Sequence, residues 1–401
     1  MPRRFVADNC CQPLRARNVL CGRMVRLGYD AVIVGAGPAG SMSAALFAQQ
    51  GRRVLLVDAA LFPRSKPCAE LISPGGVEIL RRTRALPMLG SGRWLSGMEL
   101  RSPAGACHIL RWSASNTRQA LCVARTELDT TLLDFARACG AEVHERFRVR
   151  GIACEKARVV GVIGPRGECI RADLTVGADG LHSIVARALG LRHRRVWPRR
   201  LGLTAHFNQV HWPQDTGTMR ISANGYVGAA PVDNAGRVSV GLVRGLPRGR
   251  LGASGTALTS TLRSDYPDLY QELSTGQLEG HVAGMGPLAT RVRKTSGRGY
   301  ALVGDAAGFL DPFTGEGIFR ALRSAELLAE NPSGYSMRRR VVFGRKERLI
   351  SMVQVVVQTP ALLDFAVRRL NERPLVASEL GAMLGDVLEP KISIAWRLLG
   401  P

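Results

Sequence analysis

One stretch of this 401-residue chain limits the fold more than any other. An apolar run, Tyr29 to Val34, is followed at once by Gly35-Ala-Gly37-Pro38-Ala39-Gly40. An apolar run without polar alternation reads as a strand buried on both faces of a parallel sheet. Ala39 to Gln50 then reads as a helix closed by Gly51. Val54 to Val57 is a second buried strand, and Asp58 stands at its end, 18 residues after Gly40. Strand, glycine turn, helix, strand and acid in this order make a dinucleotide-binding fingerprint. Gly35 makes the tight turn, Gly37 lets a pyrophosphate approach the backbone, and Gly40 lets the helix pack on the strand. The helix start offers free N–H groups and a partial positive charge to phosphates. Asp58 is placed to accept hydrogen bonds from ribose hydroxyls.

Two further motifs lie far downstream. Leu174 to Gly177 reads as a third apolar strand, running into Ala178-Asp179-Gly180-Leu-His-Ser183. Ala301 to Val303 reads as a fourth, running into Gly304-Asp305-Ala-Ala-Gly308 and on to Pro312-Phe-Thr-Gly315-Glu316-Gly317-Ile318. A carboxylate at the C-terminal end of a parallel strand points into the ligand crevice. Together the three motifs describe a chain built around one FAD. In their order and content they resemble the p-hydroxybenzoate hydroxylase-like FAD superfamily, which holds the class A flavin monooxygenases and the geranylgeranyl reductases. The resemblance covers roughly Tyr29 to the C-terminus. It implies that Asp179 and Gly180 sit near the FAD pyrophosphate and that Gly304-Asp305 holds the ribityl chain. It also implies that Pro312 to Ile318 runs beside the isoalloxazine ring, with Gly315 and Gly317 turning N–H groups to its pyrimidine edge. Such donors stabilise the charge that reduction places there. Arg125, before the amphipathic helix Leu128–Leu132–Phe135–Ala136–Cys139, matches an arginine that contacts FAD in many of these proteins.

Within the superfamily the finer match is to geranylgeranyl reductase-like proteins. It is carried by the loop Phe62-Pro63-Arg64-Ser65-Lys66-Pro67-Cys68, by Ser73-Pro74-Gly75-Gly76, and by Gly308 to Gly317. Aromatic hydroxylases more often carry His where Gly308 stands and Gln where Glu316 stands. The resemblance thus implies an FAD-dependent oxidoreductase that reduces or dehydrogenates a C=C bond of an isoprenoid-like or polyketide-like substrate, by hydride transfer at flavin N5. NADPH or NADH is expected as a transient electron donor. By the same resemblance Cys68 lies over the flavin ring, where its thiol either donates a proton or packs as an inert small hydrophobe. Glu70 and Glu316 are alternative acids, each weighed against a loop-capping role. Several positions depart from the pattern. Ala69 follows the cysteine where relatives carry Gly, Arg187 comes one residue late, and Gly225 to Pro231 keeps only the outline of an aromatic-rich strand. Ala329 to Ser336 is short between the flavin-facing helix and the C-terminal helices. The alternative reading is an NAD(P)H-dependent class A monooxygenase that hydroxylates an aromatic or polyketide ring. A halogenase is disfavoured by the absence of a Trp-x-Trp-x-Ile-Pro signature. An inactive flavoprotein is a further reading, suggested by the altered loop and the short segment.

The expected fold is α/β, in pieces. Residues 29–100, with 120–195 and 285–330, form a discontinuous Rossmann-like FAD-binding domain. Residues 101–119 with 196–284 form an inserted antiparallel β-sheet substrate domain, and 336–401 a C-terminal helical region. Residues 1–28 are an Arg-rich extension expected to be disordered, read either as a transit-like presequence or as sequence upstream of a true start at Met24. The formal net charge is +23 with only five lysines, so arginine carries the excess. The arginines are scattered and not interleaved with aromatics, which argues for base composition over a nucleic-acid partner. The clusters His193 to Arg200 and Arg338 to Arg340 could steer a phosphorylated or carrier-bound substrate. The nine cysteines show no zinc-ligand spacing and fit a reducing, cytoplasmic setting. No run of about 20 apolar residues is present, so no spanning helix is expected, while peripheral membrane contact stays open. Oligomeric state is not legible.

Overall fold

The computed structural model describes residues 28–113, 117–194, 199–212, 215–245 and 254–400. Residues 1–27 of the N-terminal extension therefore lie outside the described residues, as does part of the His193 to Arg200 cluster. A parallel sheet forms the first layer, with strands ordered Tyr300–Leu302, Cys169–Gly177, Tyr29–Val34, Val54–Val57 and Glu142–His144. Ser296–Gly297 adds an antiparallel edge beside Tyr300–Leu302. The central strand pairs in register with both neighbours, Ile33 with Leu56 on one side and with Val176 on the other. It is buried on both faces, as its unbroken apolar run requires. Gly151–Glu155 and Arg158–Ile163 form a meander that pairs antiparallel with the start of Cys169–Gly177. Its reversal uses Lys156 and Ala157 at positive φ.

The helix Pro38–Gln49 packs between this sheet and the helices Arg125–Ala138 and Gly317–Glu330. Pro38 occupies the first turn, where its missing N–H costs nothing. Small residues Ala39, Ser43, Ala44 and Ala45 are buried and let the three helices approach closely.

A second, seven-stranded sheet has the order Gln277–Met285, Arg200–Asn208, Val238–Gly245, Gly225–Pro231, Thr216–Ser222, Gly97–Arg101 and Cys107–Arg111. Leu203, Ala205, Phe207, Val238 and Val240 bury one face against the helices Gly255–Asp265 and Pro267–Leu273. On the other side, helices Tyr335–Val357, Pro360–Glu372, Pro374–Leu384 and Ser393–Leu399 enclose apolar clusters built on Leu100, Leu110 and Tyr226.

Three features correct the division read from the sequence. That division puts Gly97 to Leu100 with the FAD-binding segments, yet Gly97–Arg101 hydrogen-bonds within the seven-stranded sheet, so the boundary falls at Gly97. The sheet is not wholly antiparallel, because Gly97–Arg101 and Thr216–Ser222 run parallel. The two strands come from chain segments that enter from the same end, which a local turn pattern cannot reveal. Finally, residues 255–273, inside the segment expected as a sheet domain, form two helices. The short Ala329 to Ser336 segment is a compact turn. Asn331 Oδ1 accepts the Gly334 N–H at 2.9 Å, and the buried Tyr335 hydroxyl donates to the Leu302 carbonyl at 2.7 Å.

Candidate cofactor groove and adjoining cavity

The three motifs converge on one groove at the C-terminal ends of the parallel strands. One part, of about 420 Å³, is walled by Gly35, Gly37, Asp58, Arg64, Lys66, Ala178, Asp179 and Arg187. The next, of about 180 Å³, is walled by Gly37, Pro38, Ala39, Lys66, Cys68, Arg125, Gly180, Gly304, Asp305, Gly315, Gly317 and Ile318. The two meet at Gly37, Lys66 and Ala178. Every candidate binding residue taken from the sequence thus lies along the groove or in the turn behind it.

The first turn is sterically forced. Gly35 has φ +100°, and a Cβ on Gly40 would stand 1.7 Å from the Gly35 carbonyl oxygen. No side chain caps the helix that starts at Pro38, so its first N–H groups face the groove. The helix Gly317–Glu330 likewise begins without a side-chain cap and with no acidic residue in its first turn. A Cβ at Gly317 would meet nothing within 4 Å, which leaves room for a ligand edge against that backbone. Gly304, at φ +55°, is fastened from behind by the buried Ser324 hydroxyl, which accepts its N–H at 2.9 Å.

The charged side chains are held in set positions. Asp58 Oδ2 accepts the Ala36 N–H at 2.7 Å and its Oδ1 accepts the Ala60 N–H at 2.8 Å. Each oxygen keeps a further lone pair. Asp179 Oδ2 accepts the Ile184 N–H at 2.6 Å, while its buried Oδ1 has no partner among the described residues. Burial pushes the Asp179 carboxyl above the usual aspartate value, against the opposing backbone hydrogen bonds. Arg125 is buried and pairs bidentately with Asp129, at 2.8 Å through both Nε and Nη2. Burial works against its charge, yet Asp129 and Cys68 raise its pKa overall.

The loop after Asp58 supplies residues that the fingerprint alone missed. Lys66 walls both parts of the groove, and its ammonium stands 3.4 Å from the point where a Gly180 Cβ would be. It is half-buried. Burial, then Arg125, lower its pKa, while Asp305 opposes them. Among the described residues it has no hydrogen-bonded carboxylate of its own. Such an ammonium is set to gain an anion. Basic residues in a loop facing a glycine fingerprint were the signal for it.

Cys68 is half-buried, lines the groove, and its Sγ accepts the Glu70 N–H at 3.3 Å. Glu70 is the pivot of this loop. It sits at φ +63°, only 3% exposed, and its Oε1 accepts the Arg125 N–H at 2.8 Å. Its Oε2 meets His206 Nε2 at 2.7 Å on the seven-stranded sheet. Glu70 therefore caps a helix start and ties the two sheets together, the loop-capping alternative raised above. Glu316 is also tied up, with Arg320 at 3.1 Å and Lys346 at 3.6 Å.

Beyond the groove lies a further cavity of about 400 Å³. It opens from the groove where both are lined by Ala69, Leu71, Met219, Gly228, Pro312 and Gly315. Its wall is almost wholly apolar, including Met98, Leu110, Trp112, Phe313, Leu349, Leu363, Val367 and Leu398. A buried polar cluster adjoins the lining residues Pro312, Val353 and Val355 in the chain. Arg200 donates to Asp311 Oδ2 and Gln354 Oε1, both at 2.7 Å. The Tyr226 hydroxyl donates to Asp311 Oδ1 at 2.5 Å, and Gln354 Nε2 donates to the same oxygen at 2.8 Å. Two strands of the seven-stranded sheet, the third motif and the longest C-terminal helix are thereby joined.

Free N–H groups at two helix starts and an unmatched ammonium along one elongated groove fit a dinucleotide with a doubly charged pyrophosphate. Comparison with known proteins agrees. Residues 28–331 match the family model described as FAD binding domain. The chain is 30% identical over 321 residues to the menaquinone reductase of Mycobacterium tuberculosis (strain ATCC 25618 / H37Rv), covering 75% of this chain and 76% of that protein. It is 30% identical over 311 residues to digeranylgeranylglycerophospholipid reductase 1 of Methanococcoides burtonii, covering 73% of this chain and 72% of that protein. Among solved structures, the flavin-dependent brominase Bmp2 superposes with a TM-score of 0.78 at 20% identity, covering 92% of this chain and 98% of that one. A flavoprotein/dehydrogenase from Cytophaga hutchinsonii gives 0.78 at 21% identity, covering 90% and 93%. At such identity the two structures establish the fold alone. The groove, the matched domain and the reductase-named relatives together place this chain in the FAD-binding-domain family, as an FAD-dependent oxidoreductase with an α/β fold.

Proposed function

We propose that this chain reduces a C=C bond in a long apolar substrate of isoprenoid type, drawing electrons from NADPH or NADH. The observation that carries this reading is the apolar cavity opening directly onto the expected flavin end of the groove. A cavity with so little polar lining selects a hydrocarbon chain by shape and desolvation. Two of its relatives are named as reductases, one of menaquinone and one of digeranylgeranylglycerophospholipid. FAD, when bound, supplies the hydride from its N5.

The chain's own residues do the rest. The N–H groups after Gly37 and the Lys66 ammonium would hold the pyrophosphate, with Asp58 taking the ribose and Asp179 and Gly180 the neighbouring stretch. Asp305 would orient the ribityl chain, and the Gly315, Gly317 and Ile318 backbone would bind the ring. Arg125 would support the Cys68 loop. Cys68 would deliver a proton to the reduced carbon. The parallel sheet holds the cofactor, and the seven-stranded sheet with the C-terminal helices holds the substrate.

The test is an anaerobic reoxidation. Flavin in the purified protein is reduced with NADPH and then mixed with geranylgeranyl diphosphate, which has C=C bonds but no quinone ring to take the electrons instead. Flavin reoxidation with a product heavier by two hydrogens is the expected result. Oxygen uptake stimulated by an aromatic substrate, without anaerobic reoxidation by any polyprenyl compound, would replace this reading with the monooxygenase.

Lys66 gives a second expectation. Losing one charge-assisted contact to a buried phosphate costs roughly 1.5–3 kcal/mol. Lys66→Met should therefore weaken FAD binding by at least about tenfold, read as flavin fluorescence released on dilution, while Lys66→Arg holds it. Equal dissociation constants for the Lys66→Met variant and the parent protein at low salt would remove Lys66 from the phosphate site.

A further inference from the structure

We propose that one face of the helix Tyr335–Val357, continued by the mouth of the apolar cavity, docks on an anionic lipid surface, and that substrate enters the cavity from that surface. The entry route rests on the apolar-substrate reading; the docking does not.

Met337, Val341, Arg345, Arg348 and Val355 follow each other at spacings of four, four, three and seven. At about 100° per residue they share roughly a quarter of the helix circumference. All five are exposed. Met337 and Val341 are each 71% exposed and Val355 is 55% exposed. The opposite side of the same helix is buried through Tyr335, Phe343, Lys346, Ile350, Gln354 and Val357. The outer stripe thus mixes bare apolar side chains with arginines that have little else to bind. Arg345 meets only the exposed Glu389, and Arg348 has no ion pair among the described residues. This is the composition of a helix lying in a bilayer interface, where apolar side chains enter the acyl boundary and arginines reach phosphates.

The stripe leads to an opening. Val355 is at once exposed and part of the cavity wall. Trp396, 80% exposed, stands between Ala395 and Leu398, and both of these line the cavity. Phe365, 46% exposed, stands beside the lining residue Ala366. Exposed apolar residues therefore line or adjoin the cavity wall at three places. An exposed tryptophan at such a rim suits the headgroup level of a membrane. Residues 335–400 hold eleven Arg and Lys against six Asp and Glu, within a chain of net charge +23. Two copies meeting on this stripe would bring like charges together, whereas anionic lipid complements them. Among the described residues no single helix is long and apolar enough to cross a membrane, and Tyr335–Val357 bends by 112° from the next helix. The contact is therefore with one face of the bilayer.

Vesicle binding tests this without substrate or turnover, so a failed reductase assay and a failed docking assay are separate results. The FAD-loaded full chain is sedimented with vesicles of phosphatidylcholine alone or with added phosphatidylglycerol. Pelleting only with the anionic vesicles is expected, together with quenching by brominated acyl chains that Trp396→Phe removes. Arg345→Glu with Arg348→Glu should lower vesicle binding at least about tenfold while flavin stays bound. Val341→Asp should weaken it as well. Equal pelleting with both vesicle types, no quenching from Trp396, or binding unchanged in the double variant would each overturn the proposal. So would a concentration-dependent dimer that Val341→Asp dissolves, since the face would then belong to a second copy.

Discussion

Gly40→Ala should yield protein without flavin. A Cβ at this position would lie 1.7 Å from the Gly35 carbonyl oxygen and 3.1 Å from the Ala178 Cβ, against a closest real approach of about 3.0 Å. Both neighbours are rigid, one being backbone in the tight turn and the other a buried strand end. The helix Pro38–Gln49 must therefore move away from the strand, and it carries its free N–H groups away from the phosphates. Close-packed interiors accept such shifts poorly. The affinity for FAD should fall by at least two orders of magnitude, or about 3 kcal/mol. Absorbance of the purified protein near the flavin bands reads this directly. Gly344→Ala is the control: nothing lies within 4 Å of that Cβ, and the residue is inside a helix. That variant should keep its flavin and gain up to about 1 kcal/mol in stability. Should Gly40→Ala precipitate, Gly37→Val carries the same question, because its Cβ would meet only the tip of Arg64 at 3.7 Å. Stoichiometric flavin in both variants would refute the phosphate site.

Arg200→Leu is the substitution expected to cost most in stability. Arg200 and Asp311 side chains are 8% and 0% exposed and 2.7 Å apart. Removing the guanidinium leaves the Asp311 carboxylate buried with only neutral donors: the Tyr226 hydroxyl, the Gln354 amide and the Phe313 N–H. Breaking a buried pair in this way costs about 3–5 kcal/mol, because the remaining charge keeps its desolvation penalty. The Arg200→Leu/Asp311→Asn double variant should recover much of the loss, since no charge is then stranded. Thermal midpoints of the three proteins decide it. If the single variant unfolds at the same temperature as the parent, the cluster is not what joins the C-terminal helices to the seven-stranded sheet. Substrate access should change with stability, because Gln354 belongs to the helix whose Val353, Val355 and Val356 wall the cavity.

The two sites differ in how far the sequence could reveal them. The first is a turn whose requirements are local. A strand must end, the chain must reverse at a positive φ, and a helix must start within touching distance of that strand. Only glycine at positions 35 and 40 satisfies this, so the order of residue types already contained the geometry. The same holds for Asp58, Asp179 and Asp305, each within three residues of a buried strand end. For these segments the sequence by itself determined the cofactor fold, the order of the motifs along the groove and the reductase-like loop that holds Cys68.

The second site joins residues 111 and 154 positions apart in the chain. Other deciding contacts are as remote: Glu70 with His206 across 136 residues, and Ser73 with Asp386 across 313. A buried arginine, a half-buried lysine and a solvated one look alike in a sequence, because what separates them is the partner that folding brings near. The apolar C-terminal helices are legible as helices, but the same periodicity serves a packed core and a cavity wall. Only the tertiary structure decided that Leu349, Val353, Val367 and Leu398 stand back from the sheet and leave about 400 Å³ beside the groove. Local sterics set the cofactor site, and long-range packing set what can reach it.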